Sequence, residues 1–256
     1  MKVETVRVDS AIDWSPHHNA FVNPYSGCPH GCPFCYWLSY PDWEGRIQIR
    51  TNIPELLEEQ LKNWNKGDYI FLGSLCDPFM ELEREYQLTR KCLEVIRRYE
   101  IPMLMTTSAA DQIIFQNIDI LKGMKQRPII VVELSRIRFV EEMNRGGKHI
   151  GIKNANKLTD LGLKVWATLA PILPGITNLE AVLNALNPQI PVYIDCLQCA
   201  QGSIQEKRVM EWIDRDYPEL TSLYSRIMKN QDNRYFSELL YRYQNNPRVL
   251  RFPYNI

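Results

Sequence analysis

A repeated alternation restricts the fold of this chain more than any other feature. Short apolar runs ended by Gly, Pro or small polar residues are followed by longer segments of helical period. That is the pattern of βα units around a parallel sheet. Six units are readable, with strands near 20–25, 69–72, 102–106, 128–134, 164–169 and 191–195. The intervening helices read near 53–64, 85–99, 118–125, 152–161, 178–186 and 205–215. Asn52 and Pro54 are expected to cap and open the first helix, and Gly162 to stop the fourth. Six units fall short of the eight that close a full barrel, so the expectation is an α/β fold, a partial (β/α)6 barrel. The polar, aromatic-rich stretch 216–245 reads as helical, and an extended tail with Pro247 and Pro253 follows. The chain therefore divides into a barrel core, 1–215, and a helical C-terminal extension, 216–256, packed on the same domain. In folds of this kind ligands bind at the carboxyl ends of the strands.

Thirty basic and thirty acidic residues cancel, which argues against a protein that coats nucleic acid by neutralising many phosphates. No segment approaches the roughly 20 consecutive apolar residues of a membrane span, so a soluble, cytoplasmic protein is expected. Seven cysteines are an odd number, and three lie within eight residues. That is a poor disulfide framework, and in a reducing compartment such a cluster is more often metal-binding.

The three are Cys28, Cys32 and Cys35, in Gly27-Cys28-Pro29-His30-Gly31-Cys32-Pro33-Phe34-Cys35-Tyr36, directly after the first strand. The loop-forming Gly and Pro residues let the backbone wrap, so that three thiolates can converge on one inorganic centre. Three ligands leave one iron of a cubane cluster open. A closed zinc site is the competing reading, with His30, His17 or His18 as fourth ligand.

The cysteine motif, including the aromatic Phe34 before the third cysteine, resembles that of the radical S-adenosylmethionine (radical SAM) superfamily. More narrowly, Asn23-Pro24-Tyr25-Ser26-Gly27-Cys28 and its continuation to Cys32 resemble the spore photoproduct lyase-like branch. The similarity continues through Asp77-Pro78, Glu85 to Arg90, and Ala170-Pro171-Ile172-Leu173-Pro174-Gly175. The resemblance implies a [4Fe–4S] cluster on the three cysteines, whose open iron chelates S-adenosylmethionine. It also implies reductive cleavage of that cofactor to a 5′-deoxyadenosyl radical, with a low-potential flavodoxin- or ferredoxin-type protein as electron donor. Phe34 and Tyr36 would border the cofactor, and Ser74 or Asp77 would meet its methionine amino group. At the third strand end Ser108 stands where relatives often carry Lys, and it cannot supply that cation. Arg145 is the expected substitute. Glu133 and Ser135 match positions that bind ribose hydroxyls, and Pro171 and Ile172 an apolar edge for adenine.

By the same resemblance Cys76 is the candidate catalytic hydrogen-atom donor or radical relay, two residues beyond the position of the lyase cysteine, which Ser74 occupies here. Cys196 and Cys199 form a Cys-x2-Cys pair after the sixth strand, but two thiolates fall short of the usual four cluster ligands, so no second cluster is expected. The substrate stays open. A nucleic-acid base is one alternative, for which Arg226, Lys229, Arg234, Arg242, Arg248 and Arg251 amid aromatics are the sequence feature. A non-catalytic Fe–S or zinc protein is another.

Overall fold

A computed structural model describes the chain except residues 17–18, 41–42, 44, 66, 145–148 and 253–256. Its strands are β1 (Lys2–Val6), β2 (Ile12–Trp14), β3 (Ala20–Val22), β4 (Tyr25–Ser26), β5 (Arg46–Arg50), β6 (Ile70–Leu72), β7 (Met103–Thr107), β8 (Ile129–Glu133), β9 (Lys164–Ile172), β10 (Val192–Cys196) and β11 (Val249–Arg251). The helices are α1 (Ile53–Leu61), α2 (Glu83–Tyr86), α3 (Leu88–Tyr99), α4 (Ile118–Lys122), α5 (Ile137–Asn144), α6 (Ile150–Asp160), α7 (Leu179–Ala185), α8 (Ile204–Asp216), α9 (Thr221–Asn230) and α10 (Arg234–Arg242).

The six expected strands are β3, β6, β7, β8, β9 and β10, and they lie parallel and adjacent in one sheet of order β11-β10-β9-β8-β7-β6-β3-β2. β2 pairs antiparallel at one edge and β11 parallel at the other. The edges do not meet, so the architecture is an open, partial barrel.

Several local features depart from the sequence expectations. The run 20–25 is two strands, because Pro24 has no N–H to give the ladder. After it, β4 leaves for a small second sheet of order β1-β5-β4. The helix read at 85–99 breaks at Gln87, which adopts φ 50° between α2 and α3. Helix α5 escaped notice because eight residues carry little period. Asn52 does not cap α1 with its side chain. Its amide instead clamps Val8, accepting from the Val8 N–H at 2.9 Å and donating to the Val8 carbonyl at 2.8 Å. Pro54 does sit in the first turn of α1, and Gly162 follows α6 at φ 82°, as a stop should. Of the tail beyond 245, Val249–Arg251 joins the main sheet as β11, and Pro253 lies outside the described residues.

Side chains alternate across a strand, so residues two apart share a face. On the face turned into the barrel, Leu104, Ile129 and Val131 pack with Phe71 and Trp166. Two residues further along their strands, Leu104 is succeeded by Thr106 and Val131 by Glu133. The interior is thus plugged by apolar residues below and lined by polar ones at the carboxyl ends. The opposite face buries the large core with the helices, where each fully buried aliphatic side chain contributes ~1.5–3 kcal/mol. No helix among the described residues is long and apolar enough to cross a membrane.

Candidate functional site

Two glycines shape the loops that open the site. Gly27 has φ 93°, and a Cβ there would overlap the Arg46 carbonyl oxygen, so only Gly lets the chain turn from β4 into the cysteine loop. Gly73, at φ 85°, ends β6 with Pro78 and Thr106 pressed against it. A Cβ would come 2.6 Å from Pro78 Cδ and 2.9 Å from the Thr106 carbonyl.

Between these turns lies a cavity of about 890 Å³ at the carboxyl ends of the strands. Cys28, Cys32 and Cys35 all line it, together with His30, Phe34 and Tyr36. The loop is drawn tight by Cys35 N–H donating to the Cys32 carbonyl at 3.1 Å. It is anchored to α8 by Gln205, whose amide donates to the Phe34 carbonyl, and by the edge of Phe34 against Trp212 at 6.3 Å. Burial raises all three thiols, Cys32 to about 12, and outweighs the opposing Arg136 charge at Cys28 and Cys32, so the neutral form is favoured. Burial, with the Arg136 charge, lowers His30 to about 4. No group of three or more His, Cys, Asp or Glu side chains among the described residues is gathered as a site for one metal ion. His17 and His18 lie outside those residues.

On the β6 side, Ser74 and Cys76 line the cavity. Asn23 Oδ1 holds this turn, accepting from Ser74 Oγ at 3.1 Å and from Leu75 N–H at 3.0 Å. The Cys76 thiol donates to the Tyr25 carbonyl at 3.1 Å. Asp77 and Ser108 are not in the cavity wall. Asp77 is buried behind it and accepts from Thr107 Oγ1 at 2.8 Å, from Ser108 N–H at 2.9 Å and from the Ser108 hydroxyl. Burial opposes its ionisation, but the Arg136 charge and these bonds outweigh that and hold the carboxyl below its ordinary value. The strand β7 residue that faces the cavity is Thr106.

Glu133 and Ser135 line the cavity beyond β8. Ser135 Oγ lies between Glu133 Oε1 and the Ala170 carbonyl, 2.8 Å from the latter. Pro171 is in the wall. Ile172 is buried behind it, and its carbonyl accepts from the Tyr235 hydroxyl at 3.4 Å. Arg145 lies outside the described residues. A cation that sequence reasoning passed over, Arg136, lines the cavity beside Glu133. Its Nε donates to Glu133 Oε2 at 3.2 Å, its Nη2 is 3.6 Å from Asp77 Oδ2, and its Nη1 is buried without a hydrogen-bond partner.

The far wall comes from the end of β10 and from the C-terminal segment: Asp195, Cys196, Gln198 and Cys199, then Gln231, Asn233 and Arg251. Burial raises the Cys199 thiol to about 12. The basic residues noted in this segment are partly committed elsewhere. Arg234 pairs with Asp232 at 2.6 Å, and Arg248 donates to the carbonyls of Ile190, Leu183 and Asn187.

Over 97% of its length this chain superposes on spore photoproduct lyase complexed with a dinucleoside spore photoproduct, with a TM-score of 0.64 at 10% identity and 81% of that chain covered. Streptococcus suis SuiB bound to S-adenosylmethionine matches 92% of this chain and 51% of its own, with a TM-score of 0.51 at 16% identity. The chain has the radical SAM fold. At these identities the likeness extends to the fold and no further. No family model matches the chain. An uncharacterized protein of Methanocaldococcus jannaschii is 24% identical over 232 residues, which is 86% of this chain and 83% of the relative. Within the radical SAM fold the cavity described above sits where such parallel sheets bind ligands.

Three thiols from one loop line the same cavity as a buried Arg136 N–H without a partner, and in their chemistry, though not gathered around one point, they are a donor set that suits a cubane cluster with an open iron.

Proposed function

We propose that this protein is a radical SAM enzyme that holds a [4Fe–4S] cluster on Cys28, Cys32 and Cys35 and binds S-adenosylmethionine in the same cavity. The observation that carries this reading is the joint lining of one cavity by the three cysteines and the strand-end residues Thr106, Glu133, Ser135 and Arg136. A structural metal module has no need of that second set. When bound, the cluster supplies the electron that splits the sulfonium of S-adenosylmethionine into methionine and a 5′-deoxyadenosyl radical that abstracts hydrogen from a substrate.

The chain's own part is to bind, orient and exclude water. Glu133, fixed by Ser135 and Arg136, offers a carboxylate acceptor for the ribose hydroxyls. Ser74, fixed by Asn23, supplies a polar edge for the methionine end. Pro171 supplies an apolar edge for adenine. The far wall, with Gln198, Gln231 and Asn233, faces the substrate. A flavodoxin- or ferredoxin-type donor would deliver the electron.

Reconstituted anaerobically and reduced with dithionite, the protein is expected to convert S-adenosylmethionine slowly to 5′-deoxyadenosine and methionine. S-adenosylhomocysteine as the sole product would overturn the reading.

Cys76 is proposed as the hydrogen-atom donor to a product radical, since it lines the cavity while also packing on Tyr25, Ile49 and Leu88. Cys76→Ala should leave iron content and substrate-free cleavage at wild-type levels and change the product distribution once the substrate is supplied. The same products at the same turnover would remove Cys76 from the mechanism.

A further inference from the structure

We propose that Arg136 is a built-in setter of the cluster's reduction potential, opposed by Asp77. The inference rests on the cluster reading above and concerns a function that neither the motif nor the fold assigns.

Arg136 and Ile137 follow β8 directly, and both reach the cysteine loop. The Ile137 N–H donates to Cys32 Sγ at 3.4 Å. The Arg136 guanidinium is close enough to Cys28 and Cys32 to interact electrostatically with both. Only two of its three nitrogens have partners, Nε on Glu133 and Nη2 near Asp77, while Nη1 is buried and unpaired. A buried, unsatisfied N–H on a charged group is costly, and it is retained where a ligand completes it. Here the atoms at hand to complete it are the sulfurs of the cluster loop and what they bind.

The electrostatics give the sign. Reduction adds one electron to the cluster, from the [4Fe–4S]2+ to the [4Fe–4S]1+ level, and the added negative charge is stabilised by a nearby cation and opposed by a nearby anion. Arg136 therefore raises the potential and Asp77 lowers it. Asp77 also orients Arg136, being itself fixed from the β7 side by Thr107 and Ser108. Largely buried charges of this kind are screened by salt much less than exposed ones. The arrangement leaves the potential tuned by two residues that need not touch the substrate.

The test is a redox titration of the reconstituted protein without S-adenosylmethionine, followed by the electron paramagnetic resonance of the reduced cluster. Arg136→Met should shift the one-electron equilibrium about tenfold toward the oxidised cluster, or ~59 mV more negative. Asp77→Asn, nearly isosteric, should shift it in the opposite direction, and Arg136→Lys should stay near wild type. Iron content is measured in each protein first. Failure of the wild-type protein to bind about four irons would overturn the cluster reading itself, and this inference with it. Normal iron content with both variants unmoved, or moved in the same direction, would overturn the role of Arg136 alone. Should Arg136→Met fail to fold, the sign of the Asp77→Asn shift decides.

Discussion

Replacing Cys28, Cys32 and Cys35 together by Ala is expected to reduce reconstituted iron and sulfide from about four each per chain to none, and to abolish 5′-deoxyadenosine formation. The three side chains are half-buried members of one loop that line a cavity, and of them Cys32 packs against the main core. Far-UV circular dichroism and the urea midpoint should therefore change little. The free thiols are held neutral by burial, so iron must displace their protons, and loading should fall as the pH is lowered. Iron retained in the triple variant would move the cluster elsewhere. Stoichiometric zinc in the wild-type protein, without an iron chromophore after reconstitution, would replace it by a closed structural site.

Glu83→Ala is expected to cost the fold about 3 kcal/mol or more. Glu83 is 2% exposed and joins three donors: the Tyr25 hydroxyl at 2.5 Å, Thr89 N–H at 3.0 Å and Arg90 N–H at 2.9 Å. Helix α3 begins after Gln87 with no side-chain cap of its own, so Glu83 satisfies the first-turn N–H groups from a distance. Tyr25, fully buried, depends on it as well, and Tyr25 in turn carries the carbonyl that holds Cys76. Alanine leaves a buried hydroxyl and two helix N–H groups without an acceptor. Glu83→Gln keeps one carbonyl oxygen and should lose less than half as much. The urea-unfolding midpoints of the two variants measure the difference, and a loss below about 1 kcal/mol for Ala would show that water takes over these bonds.

The spread of these effects follows how the chain is written. Each of the six barrel strands is a contiguous apolar run, and the strand period is a property of neighbouring residues, so the partial barrel was readable without knowing any long-range partner. The cysteine triplet was readable for the same reason, since its Cys-x3-Cys-x2-Cys spacing lies within eight consecutive residues. What the motif does not show is which residues stand in the cavity wall. Asp77 and Ser108 lie at strand ends, as expected, but they face each other behind the cavity, and only the packing of the β6 turn against β7 shows it.

The sequence alone determined the period, the number of βα units and the place of the thiols, because local sterics and hydrophobic spacing are enough for those. Tertiary structure decided the rest. Strands β1 and β5 are five-residue signals until they pair with each other across 44 positions, and β11 becomes a strand only against β10. Arg136 has no distinguishing mark in the sequence, and it acquires meaning with Asp77, from 59 residues earlier, beside it. Gln231, Asn233 and Arg251 joined the cavity through the return of the C-terminal segment onto the sheet. Contacts between residues far apart in the chain have no local signature, since their energy is realised only when the core has brought the elements together.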